Sequence, residues 1–369
     1  MAIYKTLVKK VSIPPDKKTK QKQYEVEGKL AIVDQGHKLI GGYSNDQTLK
    51  LECSLPVIVF GDHTCAVKYI DFPFGAGADG IKVLEPSELI KPKYLYYGTQ
   101  YLTLRFPDKG YARHYQHIEK MDLTVPPLPE QERIVTRIEE LFSELDKAVE
   151  TLQITKQQLA VYRQAVLKEA FEGCKMVKTN AVCEHITDGD HMPPPKAESG
   201  IPFIMISNIK GNKICWDNTN YVNSEYYNAI GEKRAPRKGD VLYTVTGSYG
   251  IPVKVDFDKD FCFQRHIALL RPNKKISQNY LFYAMQSPDV CLQATKRATG
   301  TAQKTVGLSV LRDLSIPFFE SIEKQKEVTV LIESRLSVCE SIEQTVDTAL
   351  AQAEAMRQSI LKQAFEGGL

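Results

Sequence analysis

Two carboxylates and a lysine near the start of the chain match a spacing used by metal-dependent nucleases. Asp16 follows a proline, and Glu27 and Lys29 flank a glycine further along the same polar stretch. Carboxylates at this spacing can hold a divalent metal ion that positions a hydrolytic water. The stretch is rich in lysine, however, and no predicted strand pair fixes the carboxylates. A nuclease centre is therefore an alternative and not the main hypothesis.

Other catalytic patterns in the chain are incomplete. None of its Pro-Pro pairs is followed by the aromatic residue that amino-methyltransferases use to clamp a flipped base, and no glycine loop for a nucleotide precedes a helix. Cys183, His185 and His191 lack the four-ligand spacing of a zinc site. The glycine-rich FGAGADG at Phe74–Gly80 predicts a turn. These patterns favour recognition over catalysis.

Cations, amides, hydroxyls and imidazoles cluster on predicted loops in two separate parts of the chain. Lysines suit phosphate contacts, whereas arginine and glutamine fit the edges of guanine and adenine. Each side chain has a structural role as its alternative, but such groups are scarce on the predicted helices. The candidates for contacting nucleic acid are Lys17, Lys18, Lys20, Lys22, His63, Thr64, Arg113, His114, Thr187, Asp188, His191, Thr246, Ser248, Tyr249, Gln264, Arg265, His266, Lys296, Arg297 and Lys304.

Charge alternates along the chain, although the net charge is only +3. Residues 1–125 carry +4 and residues 174–318 carry +6, whereas residues 126–173 carry −3 and residues 319–369 carry −4. A polyanion would therefore meet the two basic segments and avoid the acidic ones.

The two acidic segments are copies of one another at a constant offset of 194 residues. YRQAVLKEAFEG at Tyr162–Gly173 returns as MRQSILKQAFEG at Met356–Gly367. Apolar residues recur at alternating steps of three and four, which is typical of helices that pack along a seam. We therefore predict that Glu130–Glu172 and its copy form an antiparallel coiled coil. The residues predicted to pair the helices are Ile134, Ile138, Leu141, Leu145, Leu152, Leu159, Ile332, Ile342, Val346, Met356 and Ile360.

The two predicted helices end with the same signal but begin with different ones. Gly173 and Gly367 suit a left-handed C-cap in both copies. Prolines mark the start of the first helix in VPPLPEQE, but the second begins with IPFFESIEKQ. We expect weaker capping at the second start.

Both basic segments have the pattern of mixed α/β domains, so the predicted fold class is α+β with a pseudo-twofold internal repeat. The predicted organisation is a globular domain at 1–125, a helix at 126–173, a second domain at 174–318 and a second helix at 319–369. Predicted strands are KLAIVD, LPVIVFG, CAVKYIDF and YLTLRF in the first domain and IPFIMISNI, DVLYTVTG and HIALLRP in the second, with a helix at SQNYLFYAMQS.

Composition is that of a globular protein, with 43% hydrophobic and 25% charged residues. The eight cysteines form no CxxC pair, which favours reduced thiols. No apolar run reaches the roughly 18 residues of a membrane helix, and the N-terminus lacks the apolar core of a signal peptide. We expect a cytoplasmic protein without a membrane partner.

These features together resemble the specificity subunit of Type I restriction–modification enzymes. The motifs that carry the resemblance are PPLPEQERIVTRIEELFSELD, the twin Q-x-x-L-K-x-A-F-E-G helix ends, LPVIVFGDHTCAVKYIDFPFGAGADGIKVL and ITDGDHMPPPKAESGIPFIMISNI. The resemblance covers nearly the whole chain as domain, helix, domain and helix. The second helix start departs from the Pro-Leu-Pro form usual in the family.

The resemblance implies that each domain is a target-recognition domain for one half of a split DNA sequence, and that the paired helices set the spacer between the halves. It implies a non-catalytic subunit that binds double-stranded DNA, two methyltransferase subunits and restriction/translocase subunits. S-adenosylmethionine, ATP and magnesium are expected on those partners, and no cofactor is expected on this chain. The alternatives are a subunit with its own metal-dependent nuclease centre and a scaffold that binds acidic proteins.

Overall fold

The computed structural model describes residues 1–77, 80–105, 112–191 and 194–369. The chain divides into two compact units: unit 1 comprises Met1–Gln153 and Asp347–Leu369, and unit 2 comprises Ile154–Val346. Each unit thus joins a globular part to portions of both long helices. The four-part division made from the sequence stays a prediction.

Unit 1 contains two four-stranded sheets and a two-stranded pair. Its elements are β1 (Ala2–Ile3), β2 (Val8–Val11), β3 (Lys18–Thr19), β4 (Leu30–Val33), β5 (Gly42–Ser44), β6 (Val57–Gly61), β7 (Val67–Ile70), β8 (Phe74–Gly77), β9 (Ile81–Pro86), α1 (Pro92–Thr103), α2 (Tyr115–Ile118), β10 (Asp122–Leu123) and the first part of α3 (Leu128–Ala170). The sheet orders are β2-β9-β6-β7 and β3-β8-β4-β5, and β1 pairs with β10.

Strand β6 is apolar throughout because both of its faces are buried. Ile58 and Phe60 point into the core that contains α1, whereas Val57 and Val59 point into the core beneath the second sheet. Successive side chains of a strand alternate between faces, so a strand covered on both sides needs a continuous apolar run.

Unit 2 has a similar arrangement of strands and helices. Its elements are β11 (Lys175–Lys178), α4 (Thr179–Val182), β12 (Cys183–Asp188), β13 (Ile201–Ile204), β14 (Ile209–Lys210), β15 (Lys213–Ile214), β16 (Asn220–Val222), α5 (Ser224–Ala229), β17 (Val241–Thr244), β18 (Pro252–Lys254), β19 (Cys262–Phe263), β20 (Ile267–Pro272), α6 (Gln278–Ala284), α7 (Pro288–Arg297), α8 (Leu308–Asp313), β21 (Ser315–Phe318) and the first part of α9 (Ile322–Glu366). The main sheet has the order β12-β20-β17-β18, and β11 pairs with β21.

The two units therefore share one topology in the sheets β2-β9-β6-β7 and β12-β20-β17-β18. In each sheet the strand that comes first in the chain pairs with the strand that comes last, and the last strand also pairs with one strand of a hairpin. Strand β17 is buried on both faces as β6 is, because Val241 and Tyr243 enter one core and Leu242 enters the other. The predicted α+β fold with an internal repeat is confirmed.

Two predictions for unit 1 were wrong. YLTLRF was predicted as a strand, but Tyr101–Thr103 is the last turn of α1, and Phe106 lies outside the described residues. Tyr94, Leu95, Tyr101 and Leu102 are buried on one face of the helix, so helical spacing decided the structure. The predicted turn at FGAGADG is strand β8 in its first four residues, Phe74–Gly77, and Ala78 and Asp79 lie outside the described residues.

In unit 1 the start of α3 lies beside the end of α9. Arg357 forms an ion pair with Asp146 and lies 4.3 Å from the ring centre of Phe142. Nη2 of Arg133 donates to the carbonyl of Leu369 over 2.9 Å. The two helices are therefore antiparallel in this unit, as predicted.

In unit 2 the end of α3 lies beside the start of α9. Arg335 pairs with Glu169 at 2.6 Å, and Arg163 pairs with Glu343 at 2.8 Å. The helices are antiparallel here too. Helix α3 begins and ends two residues before the predicted Glu130–Glu172.

The predicted pairing residues differ in burial. Ile134, Ile138, Ile332, Val346 and Ile360 are buried, and Leu141, Leu145, Leu152 and Leu159 are half-buried. Ile342 and Met356 are 40% and 55% exposed, so the structure does not place them in the seam. Their neighbours Glu343 and Arg357 are the less exposed residues and contact the other helix. The prediction assumed an apolar seam, whereas long charged side chains also lie there.

Helix α9 begins with a side-chain cap despite lacking prolines. Oγ of Ser321 accepts from the backbone nitrogen of Lys324 over 3.1 Å. This contact satisfies one of the free donors of the first turn, so the expected weak capping was wrong. Among the described residues, no helix is both long and apolar enough to cross a membrane.

Candidate nucleic-acid interface

A ridge formed by Gln264 and His266 separates two open cavities in unit 2. The ridge is the turn between β19 and β20, where the nitrogen of Gln264 donates to Ile204 (3.0 Å) and its carbonyl accepts from Ile267 (3.0 Å). These backbone bonds fix the turn, while both ridge side chains are half-buried at the cavity walls. Arg265, between them, is exposed.

The larger cavity has a volume of about 620 Å³. It brings together groups that are far apart in sequence, because Thr246 and Ser248 of one predicted loop face the Gln264–His266 ridge. The nitrogen of Gly247 donates to the carbonyl of Lys304 over 2.9 Å, which holds the segment of the candidate Lys304 beside that of Thr246 and Ser248. The remaining lining residues are Met205, Ile206, Ser207, Ile209, Lys210, Thr244, Gly247, Ile251 and Gln303.

The smaller cavity, of about 490 Å³, holds more charge. Asp190 accepts a hydrogen bond from the hydroxyl of Tyr226 and lies 3.5 Å from Arg234. Burial and the Asp190 carboxylate raise the pKa of Tyr226, so the phenol stays protonated as the donor. The other lining residues are His191, Pro194, Lys196, Phe203, Met205, Asn220, Tyr221, Gln264, Arg265 and His266.

Gly189 allows the strand end that carries Asp188 and Asp190 to approach the ridge. A Cβ atom at this position would overlap the carbonyl of Phe263. The neighbouring Asp188 accepts from Nε2 of His191 at 2.8 Å. Glycine is therefore needed for the close backbone crossing that places Asp190 at the smaller cavity.

The surroundings of His266 favour its neutral form. Burial lowers the pKa of its imidazole, and the Arg265 guanidinium lowers the pKa further. A neutral imidazole has one donor and one acceptor nitrogen, which suits a mixed polar edge better than a phosphate.

Several candidates in unit 2 have structural partners. Arg297 pairs with Asp313 at 2.9 Å, and the hydroxyl of Tyr249 donates to Thr295 over 3.4 Å. Thr187 is half-buried in β12, and Lys296 is exposed at the end of α7. The structure does not bring these four to the ridge.

The candidates in unit 1 also include residues with structural partners beside exposed ones. Thr64 donates to the carbonyl of Gln35, and Nδ1 of His63 lies 3.0 Å from the carbonyl of Ala112. His114 is only 1% exposed, which leaves no surface for a direct contact in this arrangement. Arg113 beside it is exposed.

The lysine cluster of unit 1 is more ordered than the predicted loop. It spans two short 3-10 helices and strand β3, and Nζ of Lys17 donates to the carbonyl of Lys50 over 2.9 Å. Lys18 lines a cavity of about 240 Å³ together with Lys10 and Lys82. The exposed members are Lys18, Lys20 and Lys22.

The nuclease candidates do not form a recognisable metal centre. Asp16, Glu27 and Lys29 are all exposed. Within the described ranges, no group of three His, Cys, Asp or Glu side chains could hold a metal ion.

The family model described as Type I restriction modification DNA specificity domain matches residues 16–156 and 172–346. The chain belongs to this family. Each match to the Type I specificity domain begins in or just before a globular part and ends inside the long helix that follows it. The two matches thus fall in the two halves of the internal repeat.

Two curated relatives are specificity subunits of Type I restriction enzymes. The EcoBI subunit of Escherichia coli is 27% identical over 278 residues, which cover 67% of this chain and 58% of that protein. The EcoKI subunit of Escherichia coli strain K12 is 21% identical over 394 residues, covering 97% of this chain and 78% of that protein. The match to EcoBI thus spans less than two thirds of that relative's length.

A solved structure shares the fold of this specificity-domain chain. The structure, described as "Structural basis underlying complex assembly and conformational transition of the type I R-M system", contains a chain that matches with a TM-score of 0.70 and 16% identity. The match covers 100% of this chain and 97% of that chain.

Sequence reasoning missed several cavity residues of this specificity-domain protein. Ser207, Lys210 and Gln303 line the larger cavity, and Lys196 lines the smaller one. Ser207 lies within the predicted strand IPFIMISNI, and Gln303 directly precedes the candidate Lys304, so both had a local signal. Lys196 and Lys210 are isolated exposed lysines whose position depends on the tertiary fold.

Proposed function

We propose that this chain is the DNA sequence-specificity subunit of a Type I restriction–modification complex. Each unit contacts one half of a bipartite target in double-stranded DNA, and the chain itself performs no chemistry. The observation that carries the proposal is the double match to a DNA specificity domain, one in each globular half.

In unit 2, the Gln264–His266 ridge supports direct contact with base edges. A glutamine amide fits the N6 and N7 groups of adenine, and an arginine fork fits O6 and N7 of guanine. Gln264 and Arg265 are adjacent, and His266, whose pKa is lowered by burial and by Arg265, offers one donor and one acceptor in its neutral form. The open cavities on either side of the ridge leave room for the two walls of a DNA groove.

In the proposed function the paired helices set the spacer between the half-sites. Helix α3 has 43 residues and α9 has 45, which at about 1.5 Å per residue gives each a length of roughly 65 Å. Each helix is continuous from its first to its last turn, so its length is fixed by residue number. This is the property that a molecular ruler requires.

The proposed partners are two methyltransferase subunits, which bind the helices, and restriction/translocase subunits. Leu331, Val338 and Ile342 recur at helical spacing on α9 and are 44%, 58% and 40% exposed, which supports a protein contact there. S-adenosylmethionine, ATP and magnesium belong to those partners in this proposal. The complex would work in the cytoplasm, where its DNA is found.

The test is to co-express the chain with a methyltransferase subunit of its host and to sequence methylated adenines in the DNA. A bipartite methylated motif is expected. Exchange of residues 1–125 for the equivalent domain of a relative should then change one half of the motif only. Methylation without any sequence preference, or a change in both halves, would contradict the proposal.

A further inference from the structure

The loop Gly231–Gly239 of unit 2 connects α5 to β17 and concentrates positive charge. Glu232 is its single acidic residue. Its cations are Lys233, Arg234, Arg237 and Lys238, all outside the residues singled out by sequence reasoning. Most charge runs are simply solvated, so the loop needs a structural reason to be more than that.

Backbone geometry holds both ends of the loop. Gly231 and Gly239 adopt φ values of +74° and +100°, a region that favours glycine. The nitrogen of Ala235 donates to the carbonyl of Gly231 (3.2 Å), and that of Gly239 donates to Val255 (2.8 Å). The cations therefore project from an ordered turn.

A buried ion pair anchors the loop from below. Arg271 and Asp240 are 4% and 1% exposed, and the guanidinium donates to both carboxylate oxygens, from Nε (2.9 Å) and Nη2 (2.8 Å). Arg271 also donates to the loop carbonyls of Glu232 (3.3 Å) and Ala235 (2.9 Å). The carboxylate accepts from the nitrogen of Arg237 as well, at 2.9 Å.

A buried ion pair has a high desolvation cost for a loop that is merely solvated. Removing two charges from water carries a desolvation penalty that is offset only when every donor and acceptor finds a partner. Arg271 donates four hydrogen bonds and both oxygens of Asp240 accept, and three of the contacts of this pair are with the loop itself. The pair therefore fixes the positions from which the cations extend.

The loop borders the smaller cavity beside the ridge. Arg234 lies 3.5 Å from Asp190, which lines that cavity together with Lys196 and Arg265. The outer cations pair with exposed carboxylates, Arg237 with Glu184 at 3.7 Å and Lys238 with Asp258 at 3.2 Å. Such surface pairs contribute little, so a stronger anion can replace them.

We infer that Gly231–Gly239 is a phosphate-binding element that holds the DNA backbone next to the bases lying over the Gln264–His266 ridge. This inference rests on the proposed function and adds an interaction that is independent of sequence. Phosphate contacts fix the position of a protein on the duplex, whereas base contacts select the sequence. Ordered cations at the edge of the smaller cavity are suited to phosphate contacts.

The experiment uses the full chain and a fluorescein-labelled duplex of random sequence, with binding measured by anisotropy over a series of NaCl concentrations. The test variant is Lys233→Gln/Arg237→Gln/Lys238→Gln, which leaves Arg234 and the buried anchor intact. The matched control is Lys168→Gln/Lys326→Gln/Lys362→Gln, which removes the same charge from exposed helix positions. Fluorescence of Trp216 and thermal melting confirm that each variant is folded.

The plot of log affinity against log salt should become flatter by about 0.9 for each phosphate that the protein no longer neutralises, hence by roughly 2 to 3 in the test variant. The control should keep the wild-type slope. Single variants at the three positions, each expected to flatten the slope by about 0.9, serve if the triple variant fails to fold.

An unchanged slope in the test variant, or equal flattening in the control, would overturn the phosphate role while leaving DNA binding by the wild type intact. An unchanged slope would indicate that the loop contacts an acidic protein surface. Equal flattening would indicate that the loss of any three positive charges has the same effect. Absence of salt-dependent binding by the wild type would instead overturn the proposed function and this inference with it.

Discussion

Gln131 and Gln325, 194 residues apart, make matching sets of buried hydrogen bonds in their respective units. Both side chains are 0% exposed. In unit 1, Oε1 of Gln131 accepts from the nitrogen of Lys91 (2.8 Å), and Nε2 donates to the carbonyls of Leu89 (3.0 Å) and Pro126 (2.8 Å).

In unit 2, Oε1 of Gln325 accepts from the nitrogen of Ser277 (3.0 Å), and Nε2 donates to Lys275 (2.8 Å) and Phe319 (2.9 Å). Each glutamine thus ties the first turn of a long helix to the residues just before a helix of its globular part. The amide fixes the direction in which the long helix leaves that part.

Replacement of Gln131 by leucine should therefore destabilise unit 1 more than replacement of an exposed glutamine does. One backbone N–H and two carbonyls lose their partner, and each unsatisfied buried group costs about 1 to 3 kcal/mol, so we expect a loss of roughly 3 kcal/mol in the free energy of unfolding. Urea denaturation measures it. The control is Gln164→Leu, an exposed glutamine of the same helix; equal losses in the two variants would contradict the buried role.

The pair Arg163–Glu343 offers a second test, because charged residues occupy the seam of unit 2. Their side chains are 28% and 39% exposed, so a coupling of about 0.5 to 1 kcal/mol is expected from a double-mutant cycle with methionine at both positions. The double variant should be about as stable as the wild type, since a partly exposed ion pair contributes little and methionine adds apolar surface at the seam. Strict additivity of the two single variants would show that the ion pair contributes nothing.

This seam also shows how far periodicity predicts structure. The 3.5-residue repeat located both helices, within two residues for α3, and indicated that they pair. It does not set their direction, and the contacts within each unit show that they are antiparallel. It misplaced Ile342 and Met356 because hydrophobicity alone was used to choose between adjacent positions. Arg163 and Arg357 are half-buried and pair with carboxylates of the other helix, and the guanidinium of Arg357 also lies over the ring of Phe142. A hydrophobic pattern does not register such long charged side chains.

The lowered pKa of His266 predicts a pH dependence of stability. The folded protein disfavours the protonated imidazole, so the unfolded chain takes up a proton first as the pH falls below about 6.5. Stability is therefore lost between that pH and the lower folded-state pKa. Between about pH 7 and pH 5 the wild type should lose more unfolding free energy than His266→Gln.

Denaturant titrations at the two pH values give this difference directly. His37→Gln, at an exposed histidine, is the control and should follow the wild type. If His266→Gln and the wild type lose the same free energy, burial of the imidazole has no thermodynamic effect.

The ridge residues predict a change of specificity confined to one half-site. A bidentate contact discriminates against a wrong base by about 1 to 3 kcal/mol, which is roughly 5-fold to 150-fold. Gln264→Ala or Arg265→Ala in the complete methyltransferase complex should relax the preference at one or two positions of the half-site bound by unit 2. Sequencing of methylated adenines measures both halves at once, and Gln116→Ala, exposed in unit 1, is the control.

The candidate contacts illustrate why the site was harder to predict than the fold. Gln264 and His266 were recognisable because a polar triplet precedes an apolar strand, and the structure places them on a ridge between cavities. His114 had the same local character but is buried by the tertiary fold. Residue type shows what a side chain can bind, whereas exposure depends on chain segments that are distant in sequence.

The ruler hypothesis predicts that helix length controls target spacing. Insertion of three heptads into both α3 and α9, at matching points near Gln153 and Asp347, preserves the 3.5-residue seam and adds about 32 Å to each helix. That distance approaches one turn of B-DNA, which is about 34 to 36 Å, so the half-sites would again face the same side of the duplex.

The expected result is a methylated motif with unchanged half-sites and a spacer longer by roughly 9 to 10 base pairs. The same insertion in α3 alone should abolish methylation, because the seam residues of the two helices no longer match. A folded double-insertion protein that methylates the original motif would show that the helices do not measure the spacer. The half-sites would then have to be placed by the partner subunits.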